Sequence, residues 1–230
     1  MQSSTLLAIA LVTAAAAANA ASADLIVNGD FESGNTGFTS DYINDSSPGA
    51  GLTAGAEQGA GYYGIVTNSN TWHPYFASFG DHTTGSGNMM IVNGTDQSNK
   101  TVWQQGGVAV VQGATYRLQF WARSAYADSP ATLHITASVN SLDTVFQLPG
   151  NTGAWQQFSM DFVADSNPET IRLVDSNLAL SGNDFAIDDI SLCRVTTVPL
   201  PPASLAGLSA LAGLGGANVL RRRRLRRDGR

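Results

Sequence analysis

The run Thr115-Tyr116-Arg117-Leu118-Gln119-Phe120-Trp121-Ala122-Arg123 alternates, with Tyr116, Leu118, Phe120 and Ala122 on one face and Arg117, Gln119, Trp121 and Arg123 on the other. A period of two with one apolar face demands an extended strand lying against a core. Leu133, Ile135, Ala137 and Val139 repeat the pattern, as do Phe158, Met160 and Phe162. Shorter runs stand at 25–28, 63–67, 89–92, 102–111, 143–148, 171–174 and 185–192, and turn formers such as Gly150-Asn151-Thr152-Gly153 and Ser181-Gly182-Asn183-Asp184 separate them. About ten short strands without a sustained helical period predict an all-β domain over residues 24–197, built as a two-sheet antiparallel sandwich. The Gly/Asn/Ser/Asp-rich stretch 34–61 reads as long loops, a usual place for a binding site on a rigid β scaffold.

Charge narrows the partners. The net charge of −6 hides an asymmetry: seven of the twelve basic residues lie in the last ten positions. Lys100, Arg117, Arg123, Arg172 and Arg194 then face seventeen acidic residues within 24–197, a net charge of −12. Such a surface repels nucleic acid and anionic lipid and favours neutral ligands or cations. Cys193 is alone, so no internal disulfide forms and stability must come from packing or a bound ion.

Both ends read as export signals. Leu6 to Val12, extended by an alanine run, make an h-region of signal-peptide size, and small-x-small patterns place cleavage after Ala20 or Ala23. At the other end Val198-Pro199-Leu200-Pro201-Pro202 precedes an uncharged Ala/Leu/Gly stretch, 203–220, and then Arg221, Arg222, Arg223 and Arg224 open an arginine-rich tail, 221–230. As a helix, 203–220 would span roughly 27 Å, close to a hydrocarbon core of about 30 Å, and the arginines would stay in the cytoplasm. This three-part order resembles the PEP-CTERM sorting signal in its Val-Pro-Leu-Pro variant, with Pro202 where that variant carries alanine. The resemblance implies a partner, an exosortase-type processing enzyme of Gram-negative bacteria. It also implies transient residence in the inner membrane, cleavage near the proline motif, and delivery to the cell surface or extracellular matrix. An ordinary stop-transfer helix on a permanently anchored protein is the alternative.

The ends of the exported domain carry a second resemblance. Leu25-Ile26-Val27-Asn28-Gly29-Asp30-Phe31-Glu32-Ser33-Gly34 and Asp184-Phe185-Ala186-Ile187-Asp188-Asp189-Ile190-Ser191-Leu192 resemble the opening and closing strands of galactose-binding-like jelly rolls, which include many carbohydrate-binding modules. Gly153 to Phe158 and Tyr116 to Arg123 fit strands of their body. The resemblance implies a jelly roll and a structural calcium ion where the first and last strands meet. Calcium takes hard oxygens. Extended-strand parity puts Asp30 and Glu32 on one side and separates Asp188, alongside Ile190 and Leu192, from Asp189, alongside Ile187 and Phe185. Glu32 and Asp188 are the first candidates, Asp30 and Asp189 the second. The alternative is that these acids solvate strand ends or hold turns.

Aromatic side chains in irregular chain suit a sugar, whose C–H faces stack on rings while its hydroxyls take polar partners. Tyr42, Tyr62, Trp72 and Trp121 are the candidates, with Phe76 and Phe79 expected to pack inside. Asp81 and His82 offer a metal ligand or a base with its orienter. However, Gly85-Ser86-Gly87 lacks the strand-turn-helix setting of a nucleophile elbow, and 80–88 reads as a turn held by Asx and hydroxyl bonds. The sequence therefore predicts a non-catalytic polysaccharide-binding protein of the cell surface or matrix. A structural or adhesive matrix component is the alternative, and a glycan hydrolase is a more distant one.

Overall fold

A computed structural model describes residues 22–52, 59–138, 141–179 and 181–196. Residues 1–20, read as a signal segment, lie outside the described residues. So do the motif Val198, Pro199, Leu200, Pro201 and Pro202, the stretch 203–220, and Arg221, Arg222, Arg223 and Arg224. Among the described residues no helix is long and apolar enough to cross a membrane.

The strands run β1 (Ile43–Asn44), β2 (Tyr62–Val66), β3 (Met89–Asn93), β4 (Thr101–Val108), β5 (Thr115–Ser124), β6 (Thr132–Ala137), β7 (Leu142–Gln147), β8 (Gln156–Val163), β9 (Glu169–Asp175) and β10 (Phe185–Arg194). They form two sheets, one ordered β1-β2-β3-β10-β5-β8 and the other β4-β9-β6-β7. Pairing is antiparallel throughout, as expected, except that the two-residue β1 lies parallel to β2. The outer edge of β4 is bridged by Thr39, which exchanges backbone hydrogen bonds with Gln104. A single turn of helix, α1 (Ser69–Trp72), is capped by Asn68, whose side chain accepts from the N–H groups of Asn70 and Thr71.

Alternation sets the layers. The apolar faces of β5 (Tyr116, Leu118, Phe120, Ala122) and β6 (Leu133, Ile135, Ala137) meet between the sheets with Val102, Trp103, Ile171 and Leu173. Phe120 is fully buried, stacked on Phe158 at 4.8 Å and edge-on to Phe146 at 6.0 Å. A second apolar cluster lies on the other face of the six-stranded sheet. There Met89, Ile91 and Ala186 are covered by Trp72, Phe76 and Phe79 from the 67–88 connection.

Three local expectations are corrected. Residues 25–28 form no strand: Leu25 N–H reaches Leu192 O at 3.0 Å, but Val27 N–H goes to the Gln105 side chain. Residues 28–33 form a turn rather than extended chain, with φ of 56° at both Asn28 and Phe31, so parity does not place Asp30 and Glu32. Asn28 ties that turn, its amide donating to the carbonyls of Gly34 and Thr36 and its Oδ1 accepting from Ser33 N–H. Finally, β10 is bulged between Asp188 and Ser191, with Asp189 at φ 51°. The extra residue resets the alternation, so Phe185, Ile187, Ile190 and Leu192 all enter the main core and Asp188 is not on the face of Ile190.

Truncating Phe120 removes the ring that joins three strands. Phe120→Ala is expected to lower unfolding free energy by about 3–5 kcal/mol in urea denaturation, with a reduced midpoint.

Candidate functional site

The outward side chains of β5 and β8 form a polar shelf at the border of the 67–88 cover, which touches it through Phe79 and His82. Arg117 is paired with Asp161 across the strands through two hydrogen bonds of 2.6 and 2.9 Å. Arg123 lies 4.1 Å over the Phe79 ring and donates to Thr152 O; its burial lowers the guanidinium pKa. Between them stands Trp121, half-buried, one face stacked on His82 at 3.9 Å and 14°. His82 is fixed in turn: its Nδ1 is 2.6 Å from Asp189 Oδ2, its N–H donates to Asp188 Oδ2, and the Trp155 ring meets it edge-on. Thr83 also donates to Asp189 Oδ2.

The remaining surface of Trp121 lines a cavity of about 460 Å³. Gln119 and Gln157 line it with the indole, together with Asn28, Asp30, Asp189 and Ser191. One aromatic surface among amide and carboxylate acceptors and donors is a combination that holds a sugar ring.

A second cavity of about 150 Å³ adjoins it and shares Asp30 and Asp189. Glu32, Asp81 and Asp188 line it as well, so the four acidic residues picked from the sequence do come together, and Asp81 joins them. Backbone donors hold two of them: Asn88 N–H donates to Glu32 Oε1, Gly87 N–H to Asp81 Oδ1 and Thr84 N–H to Asp81 Oδ2. A Cβ at Gly87 would stand 2.3 Å from Glu32 Oε1, so only glycine admits this approach. Burial raises the Asp188 carboxyl to about 7, helped by the like charges of Asp189 and Asp81 and opposed by the His82 N–H bond. Burial also opposes ionisation of Asp81, but bonds from Thr84, Gly87 and Ser86 outweigh it and hold its pKa low. The donors are hard oxygens, which suit calcium chemically. Among the described residues, however, no group of three or more His, Cys, Asp or Glu side chains is already arranged to hold a metal ion.

Of the four aromatic candidates, only Trp121 lines the large cavity. Trp72 is 1% exposed, its Nε1–H donating to Asp45 O, and Tyr42 is 6% exposed inside the main core, so neither offers a face to a ligand. Tyr62 packs against the second cluster. Loop aromatics were expected outside, but these connections fold back as an apolar layer. His82, Gln119 and Gln157 were not picked as binding residues. The outward parity of Gln119 beside Trp121 is the signal that could have found it.

A family model for a carbohydrate binding domain, CBM_4_9, matches residues 23–174. The chain belongs to this family. No curated protein matches the chain. Among solved structures, this carbohydrate-binding domain is similar to the CBM22-1 xylan-binding domain of Paenibacillus barcinonensis Xyn10C, at 10% identity and a TM-score of 0.47, covering 77% of this chain and 98% of that one. It is also similar to TmCBM61 in complex with beta-1,4-galactotriose, at 16% identity and a TM-score of 0.47, with 76% and 100% covered. A family 16 carbohydrate binding module-2 follows at 16% identity and a TM-score of 0.44, with 73% and 98% covered.

Asp175, Asp184 and Asp188 each sit near 7 against an ordinary 3.8, because burial disfavours their charge. The folded state therefore holds more protons than the unfolded state between about pH 4 and 7, and stability falls as pH rises through that window. In chelator the melting midpoint is expected to decline from pH 4 to 7 and then level off. Asp188→Asn should flatten part of that decline in calorimetric scans.

Proposed function

We propose that this is an exported, non-catalytic surface or matrix protein whose sandwich binds neutral polysaccharide across the β5–β8 shelf. The supporting observation is the indole of Trp121, held from behind by His82 and Asp189 and opening onto a cavity walled by Gln119, Gln157 and Asn28. A pyranose face would lie on the indole while the two glutamines exchange hydrogen bonds with its hydroxyls. Arg117 and Arg123 are occupied by Asp161 and Thr152, so the shelf presents no free guanidinium to an acidic polymer.

Calcium belongs to this reading as a structural ion of the smaller acidic cavity, with Glu32 and Asp188 as principal ligands and Asp30 and Asp189 as further ones. It would neutralise carboxylates beside His82 and so steady the ring behind Trp121. The N-terminal signal, the exosortase-type partner, passage through the inner membrane and release to the surface of a Gram-negative cell rest on the terminal sequence motifs alone.

In affinity electrophoresis of the full chain through gels containing xylan or β-glucan, retention is expected. Trp121→Ala should weaken it by about tenfold or more, and chelation should reduce it with a lower melting midpoint. Retention unchanged by Trp121→Ala would move the site elsewhere. Self-association without glycan retention would point to a structural matrix role, and release of sugar from labelled glycans to a hydrolase.

Mass spectrometry of the cell-surface form should find a new N-terminus at Ala21 or Asp24 and a C-terminus within 198–202. A retained 203–230 would mean simple anchoring.

A further inference from the structure

The 67–88 cover on the six-stranded sheet has two borders. One is the shelf of β5 and β8; the other is β2, where a further cavity of about 270 Å³ opens. Thr67 and Asn88 line it one step beyond the register pair of Val66 and Met89, and Ser46 and Pro48 reach it from the connection after β1. Trp72 stands behind and gives no face to a ligand, but it fixes the wall. Its Nε1–H donates to Asp45 O, and a Cβ at Gly64 would stand 2.7 Å from that nitrogen, so glycine lets the indole lie against β2. Register also sets this cavity level with Trp121. Val66 pairs with Met89, Ile187 with Met90 and Asp188 with Trp121, so three interstrand steps, about 14 Å, separate Val66 from Trp121 across the sheet.

No ionisable side chain lines this cavity, so a charged ligand would find no counter-charge in it. The Asn88 side-chain amide and the Thr67 hydroxyl have no hydrogen-bond partner among the described residues, while the Asn88 backbone N–H, bound to Glu32 Oε1, holds the amide in place. An amide with two donors and an acceptor, beside a hydroxyl that does both, matches neighbouring hydroxyls of a sugar ring. Val66 and Pro48 supply apolar surface for its C–H groups. A peptide adding itself as a strand fits less well, because it needs a row of free backbone groups. Here the Ile65 N–H is taken by Ser46 Oγ, and Asn68 stops the row by capping α1.

We infer that the Thr67–Asn88 cavity is a second saccharide site, taking a neutral sugar residue of the polymer held at Trp121; this rests on the polysaccharide reading of the domain. Its volume lies just below the range of small-molecule sites, which begins at about 300 Å³, and so suits one sugar residue rather than a run of them. Two sites flanking the cover hold one chain at two points, and release then requires both to open.

Calorimetric titration of the purified full chain with xylotriose and with cellotriose counts the sites, and affinity electrophoresis in xylan or β-glucan reads their joint effect. The parent is expected to bind two equivalents of one of these trisaccharides. Trp121→Ala and Thr67→Val/Asn88→Ala should each keep one, and the three substitutions together none. Thr67→Val/Asn88→Ala should also weaken retention by the polymer by about tenfold. Thr67 is exposed and Asn88 half-buried, so the melting midpoint should match the parent's; if it falls, Asn88→Ala alone is read instead. The inference is overturned, with the Trp121 reading intact, if Trp121→Ala removes all binding and Thr67→Val/Asn88→Ala changes nothing. Binding kept by Trp121→Ala and lost in Thr67→Val/Asn88→Ala supports this cavity and overturns the shelf. A parent that binds neither trisaccharide nor polymer overturns both.

Discussion

The bulge of β10 governs the Trp121 cavity and the acidic cavity beside it. As a central strand, β10 is hydrogen-bonded to β3 on one side and β5 on the other, so its side-chain phase is set by two neighbours at once. An unbroken strand could not bury Phe185 and Ile187 and also Ile190 and Leu192 on the same face. One inserted residue allows it and leaves Asp188 and Asp189 beside the outer shelf. Asp189 adopts φ 51°, a left-handed conformation costing on the order of 1–3 kcal/mol outside glycine. The surroundings meet that cost: Ile190 N–H bonds Gly29 O, and Asp189 takes hydrogen bonds from His82 and Thr83. A Cβ at Gly29 would stand 1.9 Å from Ile190 O, which gives the Asn-Gly-Asp-Phe-Glu opening a physical reason. Glycine lets the chain lie on the bulge, and Phe31 then drops into the core.

Much of this was legible in the sequence. The alternation of Tyr116 to Arg123 located the core strand and put Trp121 on the outward face, and the acidic residues of the two end segments do share a cavity. The errors have one cause. Period-two reasoning carries phase along a strand only while the strand stays regular, and a single inserted residue at Asp189 inverts it. Nothing in Asp-Asp-Ile-Ser announces a left-handed residue. The same limit placed Asp30 and Glu32 on an extended strand where Phe31 turns the chain.

Aromatic exposure was misjudged for a different reason. Trp72 and Tyr42 lie in chain that is irregular by pattern, and irregular chain is usually at the surface. Here the connections at 39–52 and 67–88 fold back over the sheet, and α1 places Trp72 with its Nε1–H on the Asp45 carbonyl. Burial of a loop ring depends on contacts distant in sequence. The acidity of the domain was legible, but not the burial of Asp175, Asp184 and Asp188, which depends on contacts distant in sequence.

The shortness of β1 matters beyond its two hydrogen-bonded residues. An open sheet invites another chain to add a strand wherever backbone donors and acceptors stand free in a long row. At the β1 end that row is too brief to template one, and β4 is already bridged by Thr39. Among the described residues the longer margins are β8 on the larger sheet and β7 on the smaller, so a second copy adding a strand would meet the molecule at one of these two borders.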